Sequence, residues 1–407
     1  MSAAVARVIT VGAAAEADPE GVAVAARLGE AGVPVAGRAV VEEDEAALER
    51  ALAPEEALTV ILAGAGGSAG DVVRRVLARL TGARLVLHER MLAALTERWR
   101  RLDRPLPRRA ERLALLPQGA QVWTTDDGEP AWALESGARA FAVLPRGAAG
   151  AALEAHLVPF ARARLAGRGT VLVRTLRVAG VELAEVEERL ADWLGQPEGA
   201  AGEASVATVP ADGEVWVRLR ARALTPDEAA RRLAAVEAPV AAALGADCYG
   251  RDAETLEAVV GRRLLERGLT LAVAESCTGG LLGHRLTSVP GSSAYFERGV
   301  LVYSNRAKQE LLGVPEAVLR AHGAVSAPCA EAMARSIAER AGAACALAIT
   351  GIAGPDGGTP AKPVGTVFIG LARDGQVTSR RFLFAGDRAR VKWLSTQMAL
   401  DMLRRSL

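Results

Sequence analysis

Hydrophobic residues along the first 165 positions form two alternating patterns. Short apolar runs typical of buried strands are separated by longer stretches in which apolar residues recur at helical spacing. Such alternation predicts a parallel sheet covered by helices on both faces, so residues 1–165 are expected to form a three-layer α/β domain. The predicted strands are 5–11, 59–63 and 84–87, and the predicted helices are 22–28, 45–52 and 72–80.

A different pattern occupies residues 168–250. A predicted strand is followed by a helix, a hairpin and a second helix, which begins behind Thr225 as N-cap. This β-α-β-β-α order predicts a small α+β domain. The predicted elements are the strands 170–176, 204–209 and 214–220 and the helices 182–194 and 226–244, with 195–202 as an internal loop.

Residues 255–407 contain the same pattern twice, a short apolar run followed by a glycine-rich loop. The apolar run 271–274 leads into ESCTGG (275–280), and the apolar run 345–349 leads into TGIAGPDGG (350–358). A strand that ends in a glycine turn before a helix exposes backbone N–H groups, which favour an anion. Neither loop has the spacing of a P-loop or of a dinucleotide fingerprint, so ATP or NAD binding by those routes is not supported. Two such loops predict an α/β domain with a phosphate site and nearby chemistry.

The rarest residues of the chain lie between these two loops. Asn305 is the only asparagine, and Lys308 is one of three lysines among 49 Lys and Arg residues. Arginine stays protonated in proteins, whereas a desolvated lysine can lose its proton and act as a base. Lys308 is therefore a candidate general base; the alternative is one more solvated cation.

Composition narrows the class of protein. The formal net charge of +1 gives no electrostatic footprint for nucleic acid. No apolar run approaches the ~20 residues that span a bilayer, and the N-terminus lacks a signal-peptide pattern, so a cytoplasmic protein is expected. The four cysteines show no CxxC spacing and the four histidines are scattered, which disfavours a zinc site or a disulfide framework. Cys277, beside Ser276, is interpreted as a packing residue.

Six motifs follow one another in the C-terminal region: AESCTGG (274–280), GSSAYFERG (291–299), YSN (303–305), TGIAGPDGG (350–358), KPVGT (362–366) and GDR (386–388). Their sequences and their order resemble the C-terminal domain of the competence/damage-inducible CinA family. In that family the domain is a nicotinamide mononucleotide (NMN) deamidase, and the resemblance implies a metal-free amidohydrolase that acts as a homodimer. It also implies a KH-like middle domain, although no GxxG clamp or basic-aromatic face supports RNA binding here.

The resemblance also implies roles for individual residues. Ser293 is expected as nucleophile, Lys308 as its base and Tyr303 as the group that relays or orients the proton. Ser276 is expected to bind phosphate or to supply backbone donors; the two serines compete, and the sequence does not rank them. The predicted substrate contacts are Thr278, Gly279, Gly280, Asn305, Thr350, Gly351, Gly354 and Arg388.

The N-terminal domain resembles a molybdopterin-binding fold that hydrolyses ADP-ribose in some family members. Such chemistry needs a divalent metal held by carboxylates, yet only Asp71 remains where the family has paired aspartates, and Val72 follows it. We expect the fold to be kept and the pyrophosphatase to be lost. A non-catalytic interaction protein, as the family name suggests, is a further alternative.

Overall fold

A computed structural model describes residues 5–12, 18–54, 56–63, 67–125, 129–147, 149–165, 170–195, 204–211 and 213–407. The chain divides into two compact units. One comprises residues 1–173, 197–204 and 220–236, and the other comprises 174–196, 205–219 and 237–407. Among the described helices, none is both long and apolar enough to cross a membrane.

The N-terminal region is a mixed α/β structure built on a six-stranded sheet of order β2-β1-β3-β8-β7-β6. Its strands and those of a separate ribbon are β1 (Ala6–Val11), β2 (Val35–Val41), β3 (Leu58–Leu62), β4 (Leu85–Leu87), β5 (Leu115–Pro117), β6 (Gln121–Trp123), β7 (Ala131–Ser136) and β8 (Arg139–Leu144). Its helices are α1 (Pro19–Glu30), α2 (Glu45–Leu52), α3 (Gly67–Thr81), α4 (Glu89–Arg101), α5 (Ala149–Ala152) and α6 (Val158–Leu165), with a π-helical turn between the last two.

Successive side chains of these strands pack in two different hydrophobic cores, one on each face of the sheet. Val8 and Val60 pack in one hydrophobic cluster, and their neighbours Ile9 and Ile61 pack in another. This period of two places one core on each face of the sheet, which confirms the three-layer prediction.

Two details differ from the sequence-based prediction. Strands β1, β2, β3 and β8 are parallel, but β7 and β6 continue the sheet antiparallel. The predicted buried strand 84–87 is wrong, because β4 pairs only with β5 in a two-stranded ribbon and its three residues are exposed. An apolar run of this length does not distinguish a buried strand from an exposed one.

The middle region has the predicted β-α-β-β-α order, with one further strand. Thr225 caps the second helix through a bond from the Glu228 amide at 3.3 Å, as expected. The first helix ends at Arg189 rather than at Leu194, and the loop 196–203 lies outside the described residues. The sheet order is β10-β11-β9-β12. The elements are β9 (Thr170–Ala179), α7 (Leu183–Arg189), β10 (Ser205–Ala211), β11 (Glu214–Ala223), α8 (Pro226–Leu244) and β12 (Cys248–Arg251).

The C-terminal region is a five-stranded sheet of order β14-β13-β15-β16-β17. The first three strands in this order are parallel, so their carboxyl ends meet at one edge; β16 and β17 are antiparallel. The strands are β13 (Leu271–Glu275), β14 (Phe296–Leu301), β15 (Cys345–Gly351), β16 (Thr366–Arg373) and β17 (Gln376–Leu383). The helices are α9 (Leu256–Arg267), α10 (Leu281–Thr287), α11 (Asn305–Leu312), α12 (Glu316–His322), α13 (Ala327–Ala341) and α14 (Arg388–Ser406).

A buried polar network joins β11 to helices α14 and α10. Glu214 accepts hydrogen bonds from Gln397 Nε2 at 2.5 Å and from the Tyr249 hydroxyl at 2.6 Å. The amide oxygen of Gln397 in turn accepts a bond from the buried Arg285 guanidinium at 2.6 Å. Removing one member of such a network leaves its buried partners unsatisfied, so these residues depend on one another.

Candidate active site

The candidate site lies at the edge where the carboxyl ends of β13, β14 and β15 meet. Ser276 directly follows β13, and Tyr303 is the second residue after β14. Thr350 is the last residue but one of β15. Parallel pairing aligns Glu275 with Leu301 and with Ile349, which places the residues after them side by side. Ligand sites in open α/β sheets form at this edge.

Lys308 reaches this edge from helix α11, which begins behind the N-cap Ser304. Its ammonium nitrogen lies 3.0 Å from Ser276 Oγ, 2.9 Å from the Val302 carbonyl oxygen and 3.2 Å from the Tyr303 carbonyl oxygen. Two of these partners are carbonyls that can only accept, whereas the third is a hydroxyl that can also donate. A neutral lysine would thus give two protons to the carbonyls and direct its lone pair at Ser276.

Burial favours this neutral form. Only 1% of Lys308 is exposed, and burial lowers the pKa of its amine below the ordinary value. The neighbouring Cys277 is also buried, and burial raises the pKa of its thiol to about 12. Cys277 is therefore a neutral thiol at physiological pH, in keeping with its interpretation as a packing residue.

Ser293 does not join Lys308 within one chain, which corrects the predicted Ser293–Lys308 pair. Ser293 lies in a short 3-10 turn just before β14, whereas Lys308 lies beyond the other end of this strand. A six-residue strand spans about 20 Å, so the two residues are at opposite edges of the sheet. Ser276 occupies the position at Lys308 that had been expected for Ser293.

The amides at the start of helix α10 do not present a free anion site. The carboxylate of Glu275 accepts hydrogen bonds from the backbone amides of Gly280 at 3.1 Å, Leu282 at 3.0 Å and Gly283 at 2.8 Å. Of the residues predicted to contact substrate, Gly280 therefore has its amide bound to a carboxylate of the protein, and the Gly279 amide is bound to the Ser276 carbonyl at 3.1 Å. Thr278 is fully buried, and its hydroxyl has no partner among the described residues.

A cavity of about 260 Å³ opens beside Ser276 and Lys308. Its lining includes three of the predicted substrate contacts, Thr350, Gly351 and Gly354 from the second glycine loop. Asn305 is exposed at the start of α11 and is not among the lining residues. The Thr350 hydroxyl is held by the Ala324 carbonyl at 2.8 Å. The other lining residues are Cys277, Tyr303, Ala324, Val325, Ile352, Ala353, Asp356, Gly357 and Arg388.

The exposed side of this cavity carries a guanidinium. Arg388, the first residue of α14, donates to the Gly354 carbonyl at 2.7 Å and to the Tyr303 hydroxyl at 3.0 Å. The pairing of Arg388 with a phosphate, which the sequence suggested, stays a prediction. The Tyr303 hydroxyl faces Arg388, and it is the carbonyl of Tyr303 that contacts Lys308.

Two residues of the site were missed at the sequence level. Glu275 was counted only as the end of a strand, although an acidic residue directly before a glycine turn is a recognisable helix-start signal. Asp356 was considered only as part of a loop motif, yet it lines the cavity and contributes a carboxylate there.

The corresponding edge of the N-terminal sheet has no comparable arrangement among its described residues. Asp71 is paired with Arg74 and lies 3.4 Å from Arg112, so its carboxylate does not fit the role of a metal ligand. Glu20 likewise fills the amides of Gly147 and Ala149 at the start of the α5 helix. The predicted loops at 13–17 and 64–66 lie outside the described residues.

Comparison with known proteins assigns all three regions to one architecture. Family models described as a probable molybdopterin binding domain, a damage-inducible protein CinA KH domain and a CinA C-terminal domain match residues 8–173, 173–250 and 253–407. A putative competence-damage inducible protein of Symbiobacterium thermophilum is 39% identical over 398 residues, covering 94% of this chain and 92% of the relative. A CinA-like protein of Geobacter sulfurreducens is 40% identical, covering 96% and 95%. The chain belongs to the CinA family.

Solved structures include a competence damage-inducible protein A of Klebsiella pneumoniae. It is 39% identical, covers 37% of this chain and 93% of its own, and has a TM-score of 0.36.

Proposed function

We propose that this chain is an amidohydrolase that converts NMN to nicotinic acid mononucleotide and ammonia. The observation that carries the proposal is the contact between a buried lysine, Lys308, and the hydroxyl of Ser276 at the cavity. A hydroxyl next to a base of lowered pKa is the arrangement that activates a serine nucleophile. The resemblance to the CinA C-terminal domain supplies the substrate, since no other observation selects it.

The chemistry runs in two halves. Lys308 takes the Ser276 proton as Oγ attacks the carboxamide carbon, and the tetrahedral intermediate expels ammonia with the proton returned by Lys308. A water molecule, deprotonated by Lys308, then attacks the ester on Ser276, which releases the carboxylic acid and restores the hydroxyl. Both steps use the same base, so the chain needs no metal for this route.

Two further groups of the site suit this reaction. Cys277 directly follows the nucleophile and lines the cavity, so its backbone amide is a candidate donor to the oxyanion. Arg388 would bind the phosphate, and the small apolar residues Ala324 and Val325 would leave room for the pyridine ring.

The direct test is to incubate the full chain with NMN and to measure ammonia, with and without a chelator. Nicotinamide, which lacks the ribose phosphate, is the control substrate. We expect it to react much more slowly because it has no phosphate for Arg388 to bind. Absence of ammonia from NMN under all conditions would overturn the proposal. A homodimer, implied by the family resemblance, is part of the proposal and is tested by light scattering. The cytoplasmic location expected from the sequence is also part of the proposal and is tested by cell fractionation.

ADP-ribose hydrolysis by the N-terminal region is the second candidate function, and the pairing of Asp71 with Arg74 argues against it. A purely non-catalytic interaction protein is the third, and the intact lysine–serine contact argues against that.

A further inference from the structure

The carboxylate of Glu275 sits at the centre of the site without reaching the cavity. Only 2% of this residue is exposed, and its carboxylate is bound by three backbone amides of the turn that follows Ser276. These bonds fix residues 276–283 in one conformation. The position of the Ser276 hydroxyl therefore depends on a side chain that is adjacent to it in sequence but points elsewhere.

The main chain of the same residue holds the base. The Glu275 carbonyl oxygen accepts a bond from the Val302 amide at 2.8 Å, and the Val302 carbonyl oxygen accepts from the Lys308 amine at 2.9 Å. The side chain of Glu275 therefore binds the turn that follows Ser276, and its main chain binds Val302, which in turn binds Lys308. Substitution of Glu275 removes the side-chain bonds to the turn and leaves the main-chain bond to Val302 in place.

We propose that Glu275 is a positioning residue that sets the Ser276–Lys308 distance by filling the amides of the turn. The inference rests on the proposed function. It predicts that both carboxylate oxygens matter, because Oε2 accepts from Gly280 and Leu282 while Oε1 accepts from Gly283. Two features are required, the length of the side chain and its two acceptors.

Two substitutions separate these requirements. Glu275→Gln keeps the length but turns one acceptor into an NH₂ group that faces a backbone N–H. Glu275→Asp keeps the charge but shortens the side chain by one methylene. A displacement of about 1 Å costs on the order of 10²-fold in rate, so we expect kcat to fall roughly 10- to 100-fold in both variants while KM changes little.

Glu20→Gln is the matched control. Glu20 also places a carboxylate on backbone amides at a helix start, those of Gly147 and Ala149, but in the N-terminal region. Loss of such a cap lowers stability in either region, so melting temperatures are measured for all variants and rates are taken well below them. Glu20→Gln is expected to leave kcat and KM unchanged.

A second readout does not depend on the substrate. The rate at which a fluorophosphonate labels Ser276 reports its activation by Lys308, and we expect it to fall in both Glu275 variants and to stay constant in Glu20→Gln. If wild type is labelled at Ser276 but releases no ammonia from NMN, the proposed substrate is wrong and the labelling rates still decide the role of Glu275. Unchanged kcat and labelling in both Glu275 variants, an effect confined to KM, or wild type that is neither labelled nor active would overturn the inference.

Discussion

The hydroxyl of Tyr303 and the guanidinium of Arg388, 85 positions apart in the chain, are joined by a hydrogen bond of 3.0 Å on the exposed side of the cavity. This bond separates two roles that Tyr303 could have. A tyrosine that relays a proton must face the base, whereas this hydroxyl faces the cation assigned to the substrate phosphate.

We therefore predict that Tyr303→Phe acts on binding. This bond has a charged donor, but Tyr303 is exposed, so water competes for both partners. A contribution of about 0.5–1.5 kcal/mol is then expected, so KM for NMN should rise roughly 2- to 10-fold with kcat nearly constant. Arg388→Gln removes the charge itself and should raise KM further. Steady-state kinetics of both variants check this, and a fall in kcat in Tyr303→Phe would reinstate the proton relay.

The general base is tested by Lys308→Arg. Guanidinium keeps the charge but cannot accept a proton, so kcat should fall by ~10²–10⁴-fold with little change in KM. Lys362→Arg is the control, because the Lys362 ammonium contacts only the His322 carbonyl among the described residues. A Lys308→Arg variant with raised KM and intact kcat would make Lys308 a binding residue.

The wild-type pH profile follows from the same lysine. Burial lowers the pKa of Lys308, and only the neutral amine accepts the Ser276 proton. Activity should therefore rise with pH up to that lowered pKa and then level off. Measurement of kcat/KM from acid to alkaline pH checks this, and a profile without an ascending limb would contradict it.

The two serines give opposite predictions. Ser276→Ala removes the hydroxyl at Lys308 and should lower kcat by more than about 10³-fold. Ser293→Ala should stay near wild type, because this residue is at the other edge of the sheet. Comparable losses in both variants would restore the role implied by the family resemblance, and would require a second copy of the chain to supply Ser293.

The lowered pKa of Lys308 should also make the free energy of unfolding depend on pH. Its pKa is lowered from 10.5, so between the folded value and 10.5 the unfolded chain binds the extra proton and stability rises with pH. Lys308→Met lacks this dependence. Its free energy of unfolding relative to wild type should therefore be most favourable at low pH and should decline as pH approaches 10.5, by about 1.4 kcal/mol for each pH unit between the lowered pKa and 10.5. Urea unfolding at several pH values tests this, and a constant difference would contradict it.

The N-terminal region should not hydrolyse ADP-ribose. Arg74 and Arg112 already neutralise the carboxylate of Asp71 on helix α3, so it is not free to bind a divalent metal. Chromatography should detect no AMP after incubation of the full chain with ADP-ribose and Mg²⁺ or Mn²⁺, in a sample that still deamidates NMN. Metal-dependent release of AMP would contradict the prediction.

Local patterns were sufficient to predict the architecture and to draw attention to Lys308. Alternating apolar runs indicated the three-layer region, and the rarity of lysine singled out Lys308. The partner of Lys308 was not predictable in this way, because Ser276 and Ser293 differ by which end of neighbouring strands they occupy. That is set by parallel pairing over 271–275 and 296–301, which a sequence pattern does not reveal.

The first glycine turn was misjudged for a related reason. A strand, a glycine turn and a helix start predict exposed amides, but not whether the chain itself supplies the anion. At the turn after β13 the carboxylate of Glu275 takes this place, 2.8 Å from the amide nitrogen of Gly283.

The bond between Glu214 and Gln397 has a consequence for engineering chimeras. A middle segment transplanted from a relative brings its own residue to position 214. If that residue is not a hydrogen-bond acceptor, the side-chain NH₂ group of Gln397, next to Arg285, is left buried without a partner. Segments of this family should therefore be exchanged with α14 as a single cassette, and grafts that break the pair should be repaired by a compensating change at position 397.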